Sequence, residues 1–329
     1  MQSFLDPAIL FFVFGIIAGS LRSNLEIPPQ IARFLALYLL MSLGLKGGFA
    51  LAKSGFTAEV AVSLGCALIL AVVVPLVGRS LLMRFVNRFD AAALAATYGS
   101  VSAVTFITAV QYLDGRGTPY GGHMAAAMAL MESPAIVMAV VFANMARRDA
   151  GAMAAPASAG AVRPPAAGLG SVLHESFTDG AQLLLLGAIV VGIVSGEAGK
   201  AVMQPFAGDL FKGMLAFFLL DMGLATAKNL GELKGKSPWL LAYAIVGPLV
   251  HAAAALALAF AAGLGPGNGA LLMVLAASAS YIAVPAVLRH AIPEANPSLY
   301  FGMSLGLTFP FNILIGIPLY SAIASRVLG

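Results

Sequence analysis

The side chains of this sequence that could do chemistry are hydroxyls set inside two otherwise apolar stretches. Thr97, Gly99, Ser100, Ser102 and Thr105 fall in one, with residues 99–105 reading GSVSAVT. Ser278, Ser280 and Tyr281 fall in the other, where residues 278–284 read SASYIAV and Pro285 follows. Proline has no amide to donate and disfavours helix at the residue before it, here Val284. A hydroxyl-rich, flexible backbone within an apolar run predicts a broken helix. At membrane depth such a break is tolerated only where it is buried in protein or lines a cavity. Each break makes a half-helix N-terminus whose amides and partial positive charge can hold an anion without a buried Lys or Arg. Ser and Thr hydroxyls both donate and accept, which suits a small oxyanion, and unwound carbonyls could hold sodium nearby. The plainer reading is that the hydroxyls bond to the preceding turn or join helices.

Charged groups inside apolar segments are few: Glu132 in MESPA beside Pro134, Asp221 in LLDMG and Lys46 in LGLKGG. Each costs about 2.5–3.5 kcal/mol at the bilayer centre and needs a partner or water. Glu132 is the candidate for a cation or proton, because a proline-disrupted turn leaves carbonyls free next to it; a structural carboxylate is the alternative. Asp221 and Lys46 are expected near helix ends, snorkelling. His251 reads as a packed histidine, and His123, His174 and His290 share no metal-ligand spacing. Cys66 is the one cysteine, so an internal disulfide and a cysteine metal site are excluded. No phosphate loop, nucleophile elbow or zinc motif occurs.

The elements that must position these groups are membrane helices. The chain is 60% apolar and 10% charged, against about 25% charged for a soluble domain. Ten segments of spanning length are expected, the first at 7–21 and the last at 297–324. They read twice: LLMSLGLKGG at 39–48 returns as FLLDMGLATA at 218–227, and the two hydroxyl runs follow at the same offset. Pro134 and Pro310 echo in the same order. Five spans per repeat force opposite orientations, the inverted-repeat plan of secondary transporters. The expected domains are a first repeat at 1–148, a flexible Ala/Pro/Gly-rich linker at 149–172 and a second repeat at 173–329. With both termini external, most basic residues, among them Arg22, Arg84, Arg88, Arg147, Arg163 and Lys236, fall on the cytoplasmic side with the linker. Their scatter argues against nucleic acid. The first span carries no signal-peptide features and is expected to remain.

Four stretches carry a resemblance over nearly the whole chain: IPPQIARFLALYLLMSLGLKGGFAL at 27–51, MESPA at 131–135, AASASYIAVPAVLR at 276–289 and IPEANPSLY at 292–300. With GSVSAVT they resemble the SbtA-type sodium-dependent bicarbonate transporter family. The resemblance implies ten spans with broken helices four and nine, a gate and a core domain, a homotrimer in the cell inner membrane, elevator-like sodium-coupled bicarbonate uptake and a PII-like cytoplasmic regulator. Ser102, Thr105, Ser278 and Ser280 match its site positions. Ala103, Val104 and Tyr281 inherit position alone, since family members carry Gly, Ser and an acid there, and Glu132 replaces an aspartate. Glu132, Thr308 and Ser100 are the expected coupling-ion residues; sodium is the sole cofactor-like ion expected. A proton- or sodium-coupled carrier of another small anion is the alternative, then an anion channel. An intramembrane enzyme has only Glu132 and His251 to work with, so no enzyme is expected.

Overall fold

The computed structural model describes residues 6–153, 180–231, 233 and 235–329. Among the described residues every regular element is helical. In chain order they are α1 (Pro7–Ser20), α2 (Pro29–Ser54), α3 (Ala58–Leu82), α4 (Arg88–Gly99), α5 (Ala103–Gly115) and α6 (Met124–Met153). The second half supplies α7 (Gly180–Met203), α8 (Phe211–Gly231), α9 (Pro238–Ala261), α10 (Pro266–Ala277), α11 (Ala283–Ala291) and α12 (Pro297–Val327). Seven stretches are long and apolar enough to cross a membrane, with Pro7–Ser20 and Pro266–Ala277 as shorter apolar helices. Of the expected linker, 149–153 continues α6 and the rest lies outside the described residues, as does His174.

Local chemistry sets the ends. Asp6 accepts from the Ala8 amide at 2.9 Å and Pro7 pre-sets the first turn of α1. Asn87 accepts from the amides of Phe89 and Asp90, both at 2.9 Å, and opens α4. Gly55, at φ 72°, closes α2 in a conformation a side chain would strain. In α12 the i→i+5 turns Gly302–Thr308 and Asn312–Gly316 flank Pro310, whose missing amide disturbs the ladder there.

The most extensive packings join opposite halves of the chain, α1 against α8 and α2 against α7. Both rest on small residues. Gly15 meets Gly223 and Gly19 meets Ala227, while Gly44 meets Ala188 and Gly48 meets Gly192. A Cβ on Gly192 would stand 2.7 Å from the Leu45 carbonyl oxygen, so the backbones touch. A second group packs α3 on α4 and α6, and, in the same manner, α9 on α10. Its core of alanines from α4 is joined by Val140, Phe142, Val284, Leu288 and Met303.

Candidate functional site

Both hydroxyl-rich runs are breaks. α4 stops at Gly99, Ser100 is extended at φ −95°, ψ −175°, and α5 begins at Ala103. α10 stops at Ala277, Ser278 is extended at φ −81°, ψ 166°, and α11 begins at Ala283. The helices before the breaks, α4 and α10, are each 12 residues long. The expectation that Pro285 would hold Val284 out of helix is corrected: both lie in the first turn of α11. There amides have no intrahelical acceptor, so proline loses nothing.

The breaks are bonded to each other. The Ser102 amide donates to Ser278 Oγ at 3.0 Å, and the Ser280 amide to the Thr97 carbonyl at 2.9 Å. The Ser278 hydroxyl donates to the Leu275 carbonyl at 2.9 Å. Ser102 Oγ accepts from the Thr105 amide at 3.1 Å and the Thr105 hydroxyl at 2.9 Å, and donates to the Tyr281 oxygen at 3.2 Å. It is thereby a saturated N-cap. The amides of Ala103 and Val104 stand at the first two positions of α5, where a helix offers no acceptor. Ser280 Oγ accepts from the Val284 amide at 3.2 Å, and its proton has no acceptor among the described residues.

A cavity of about 690 Å³ opens beside this junction. Of the expected site residues Ser102, Ala103, Val104, Ser280, Tyr281 and Glu132 line it. Thr105 and Ser278 lie one hydrogen bond behind. Ser100 is buried, and its hydroxyl has no partner among the described residues. Thr308 stands apart, donating to the Ala244 carbonyl and bonded to the Tyr98 hydroxyl, both at 2.7 Å. The Tyr281 ring is fixed edge-on against Phe309, centroids 5.1 Å apart. Among the described residues of the lining Glu132 is the one carboxylate. α6 is continuous past it; Pro134 leaves the Leu130 carbonyl without its helical donor.

Sequence reasoning missed the opposite wall: Arg33, Leu37 and Leu40 of α2, with Gln182 and Leu185 of α7. Gln182 donates to the Ala129 carbonyl at 3.0 Å, tying α7 to α6. The i, i+4, i+7 spacing of Arg33, Leu37 and Leu40 marks one helical face and was the available signal. Lys46 and Asp221 are half-buried within α2 and α8. His251 is half-buried in α9 with its ring 6.3 Å from that of Tyr243. Among the described residues no cluster of His, Cys, Asp and Glu could hold a metal.

Two joined helix breaks, amide donors facing a cavity and hydroxyl caps behind them make an arrangement that can hold a small anion. A family profile described as the Na+-dependent bicarbonate transporter superfamily matches residues 7–325. The chain belongs to that superfamily. The match takes in both breaks and every lining residue of the cavity, and makes this a multi-pass membrane protein of a transporter family, not an enzyme family. Among curated proteins no sequence matches the chain.

Proposed function

We propose that this protein is a secondary active transporter of a small anion, with sodium-coupled bicarbonate uptake as its activity. The carrying observation is that the two breaks, 176 residues apart at Ser102 and Ser278, meet in one hydrogen-bonded junction on one cavity. The anion is held by the Ala103 and Val104 amides and the Ser280 hydroxyl; Glu132 and the Ser100 hydroxyl are the oxygen groups that serve the coupling ion. Ten spans follow when Gly180–Gly231 is divided at Gln204–Asp209, and α1 and the joined α10 and α11 are counted. The exchanged packing of α1 with α8 and α2 with α7 supports two inverted repeats of five. Those four helices serve as the gate, and the group around α3, α4 and α9 to α11 as the moving core of an elevator. The proposal carries both termini outside, the linker in the cytoplasm, a homotrimeric assembly and a PII-like regulator through the family resemblance.

A second reading, carriage of a small organic anion, is favoured by the lining itself, where Leu37, Leu40, Val101, Ile107, Phe218 and Tyr281 predominate. Uptake of labelled bicarbonate and acetate into proteoliposomes, with and without an inward sodium gradient, tests both. Sodium-driven accumulation of bicarbonate is expected. Accumulation of acetate instead transfers the function to the second reading, and accumulation of neither sinks the transport proposal.

A further inference from the structure

α2 carries two cations, Arg33 and Lys46, each lining a cavity that it shares with α5. Arg33, Ala36, Leu37 and Leu40 line the cavity beside Ser102, Ala103 and Val104 of the first break and α5. Further along α2, Leu43, Lys46, Gly47 and Ala50 line a separate cavity of about 350 Å³ with Phe106, Val110 and Asp114 of α5. The two helices therefore progress in the same sense along these cavities. Leu39 and Leu40, midway along α2 between Arg33 and Lys46, line the cavity at the junction. Arg33 and Lys46 lie six or seven residues to either side, roughly 10 Å along a helix.

Lys46 also faces a third cavity, of about 780 Å³, with Lys53, Gln111, Lys200 and Lys212. Its ammonium lies 4.0 Å from the Phe211 ring centroid, and among the described residues it is in no ion pair. The acids of this cavity each have a further partner: Asp114, whose charge also acts on Lys46, accepts from the Tyr120 hydroxyl at 2.9 Å, Asp209 from Gln204 at 3.0 Å, and Glu197 pairs with Lys200 at 3.8 Å. Half-buried, with a ring on one side and cavities on two others, Lys46 offers three donors and a full charge to whatever enters.

We infer that Lys46 is an anion-docking subsite at the outer end of the transport path, taking a small monovalent oxyanion before the break junction reaches it. This rests on the anion-carrier reading of the cavity above. A stroke of the core that carries α5 along α2 by about two turns, roughly 10 Å, brings Ser102 abreast of Lys46. A stroke the other way brings it to Arg33. The amides at the junction then meet a fixed cation at each end of their travel, so the anion is handed to them from one charge and released towards another.

The test separates docking from transport. In nanodiscs holding the full chain, the rate at which an amine-reactive reagent labels Lys46 is followed by mass spectrometry against rising nitrate, formate or bicarbonate. Saturable protection of Lys46, with Lys236 unaffected, is expected; labelling of Lys46 that is indifferent to all three anions overturns the inference. In proteoliposomes, Lys46→Gln should raise the half-saturation for bicarbonate added outside about tenfold and leave the inner-face value within about twofold, with Lys46→Arg restoring it. Equal changes on both faces overturn docking at Lys46. A wild-type chain that protects Lys46 and moves no anion keeps the subsite and discards the transport reading.

Discussion

The first break holds itself open, and the second is held from outside. At the first, one side chain does the work: Ser102 caps the Thr105 amide, accepts the Thr105 hydroxyl and reaches Tyr281. The α5 helix it starts is 13 residues long. At the second, the residue before α11 is Ile282, with no side-chain cap, and α11 has 9 residues. Ser280 supplies one bond to the Val284 amide, and the backbone leans on Thr97 of the other half. The far end of α11 is gripped by Arg147 of α6, which donates to the Ala291 carbonyl at 2.8 Å and makes a two-pronged pair with Glu294. Pre-formed amides at the first break suit anion binding, whereas a half-helix fixed by neighbours can shift when those neighbours move. In the proposed transporter the first break is thus the binding element and the second the adjustable one.

That division is broken most directly by bulk. Ala103→Leu fills the cavity at the first turn of α5, and overpacking of about 1–3 kcal/mol is expected to cut uptake by up to about a hundredfold while the protein still assembles in detergent. Ile282→Ala, at the exposed end of the second break, should leave uptake within a few-fold. Equal losses from the two would erase the distinction.

The next effect concerns the charge between the breaks. Glu132→Gln keeps size and hydrogen bonding and removes the one carboxylate among the described lining residues. Uptake should lose its sodium dependence or fall several-fold, with the folded yield unchanged. Unaltered sodium dependence would reduce Glu132 to a structural role.

Hydroxyl removal sharpens the comparison on a smaller scale. Ser102→Ala loses an N-cap and two hydroxyl contacts, about 1–2 kcal/mol, or roughly 5- to 30-fold in anion affinity. Ser280→Ala loses one amide bond and a donor and should cost less than half of that. Isotherms of substrate binding to the two variants decide it, and a larger loss at Ser280 would reverse the assignment of roles.

Smallest is the grip on α11. Hydrogen bonds from Arg147 hold the Glu294 carboxyl below its ordinary value of about 4.3. Its stabilisation is therefore complete above that pH and is lost as pH falls through the lowered value. Glu294 is a third exposed, so solvent screening keeps the contribution under about 1 kcal/mol. The melting temperature of Glu294→Gln should trail the wild type slightly at pH 7, and the two should converge as the solution is acidified towards pH 3. A gap that persists in acid would mean the carboxylate is not the grip.

Much of this was legible in the residues. Serines and glycine in an apolar run marked both breaks, and their echo across the chain marked them as a pair, because a hydroxyl-rich interruption is costly in lipid without a purpose. The contacts of Ser102 with Tyr281 and Ser278 were not legible, since they depend on how two distant segments meet. Nor was the α2 wall: Arg33 reads as one more basic residue near a helix start until α5 is laid beside it. Thr308 lies outside the cavity lining, and its hydrogen bonds to Tyr98 and Ala244 were likewise not legible from its position in the sequence. Pro285 misled because the rule against proline in helices does not apply in a first turn.

The glycine contacts of α1 with α8 and of α2 with α7 carry a consequence for how the chain is made. α1 and α2 emerge from the ribosome first, yet their most extensive packing partners, α8 and α7, belong to the second half. Until that half is synthesised, the faces bearing Gly15, Gly19, Gly44 and Gly48 stand against lipid, waiting. The halves therefore interlock like clasped hands: neither can cover its own glycine faces, and this packing is completed only when α7 and α8 arrive.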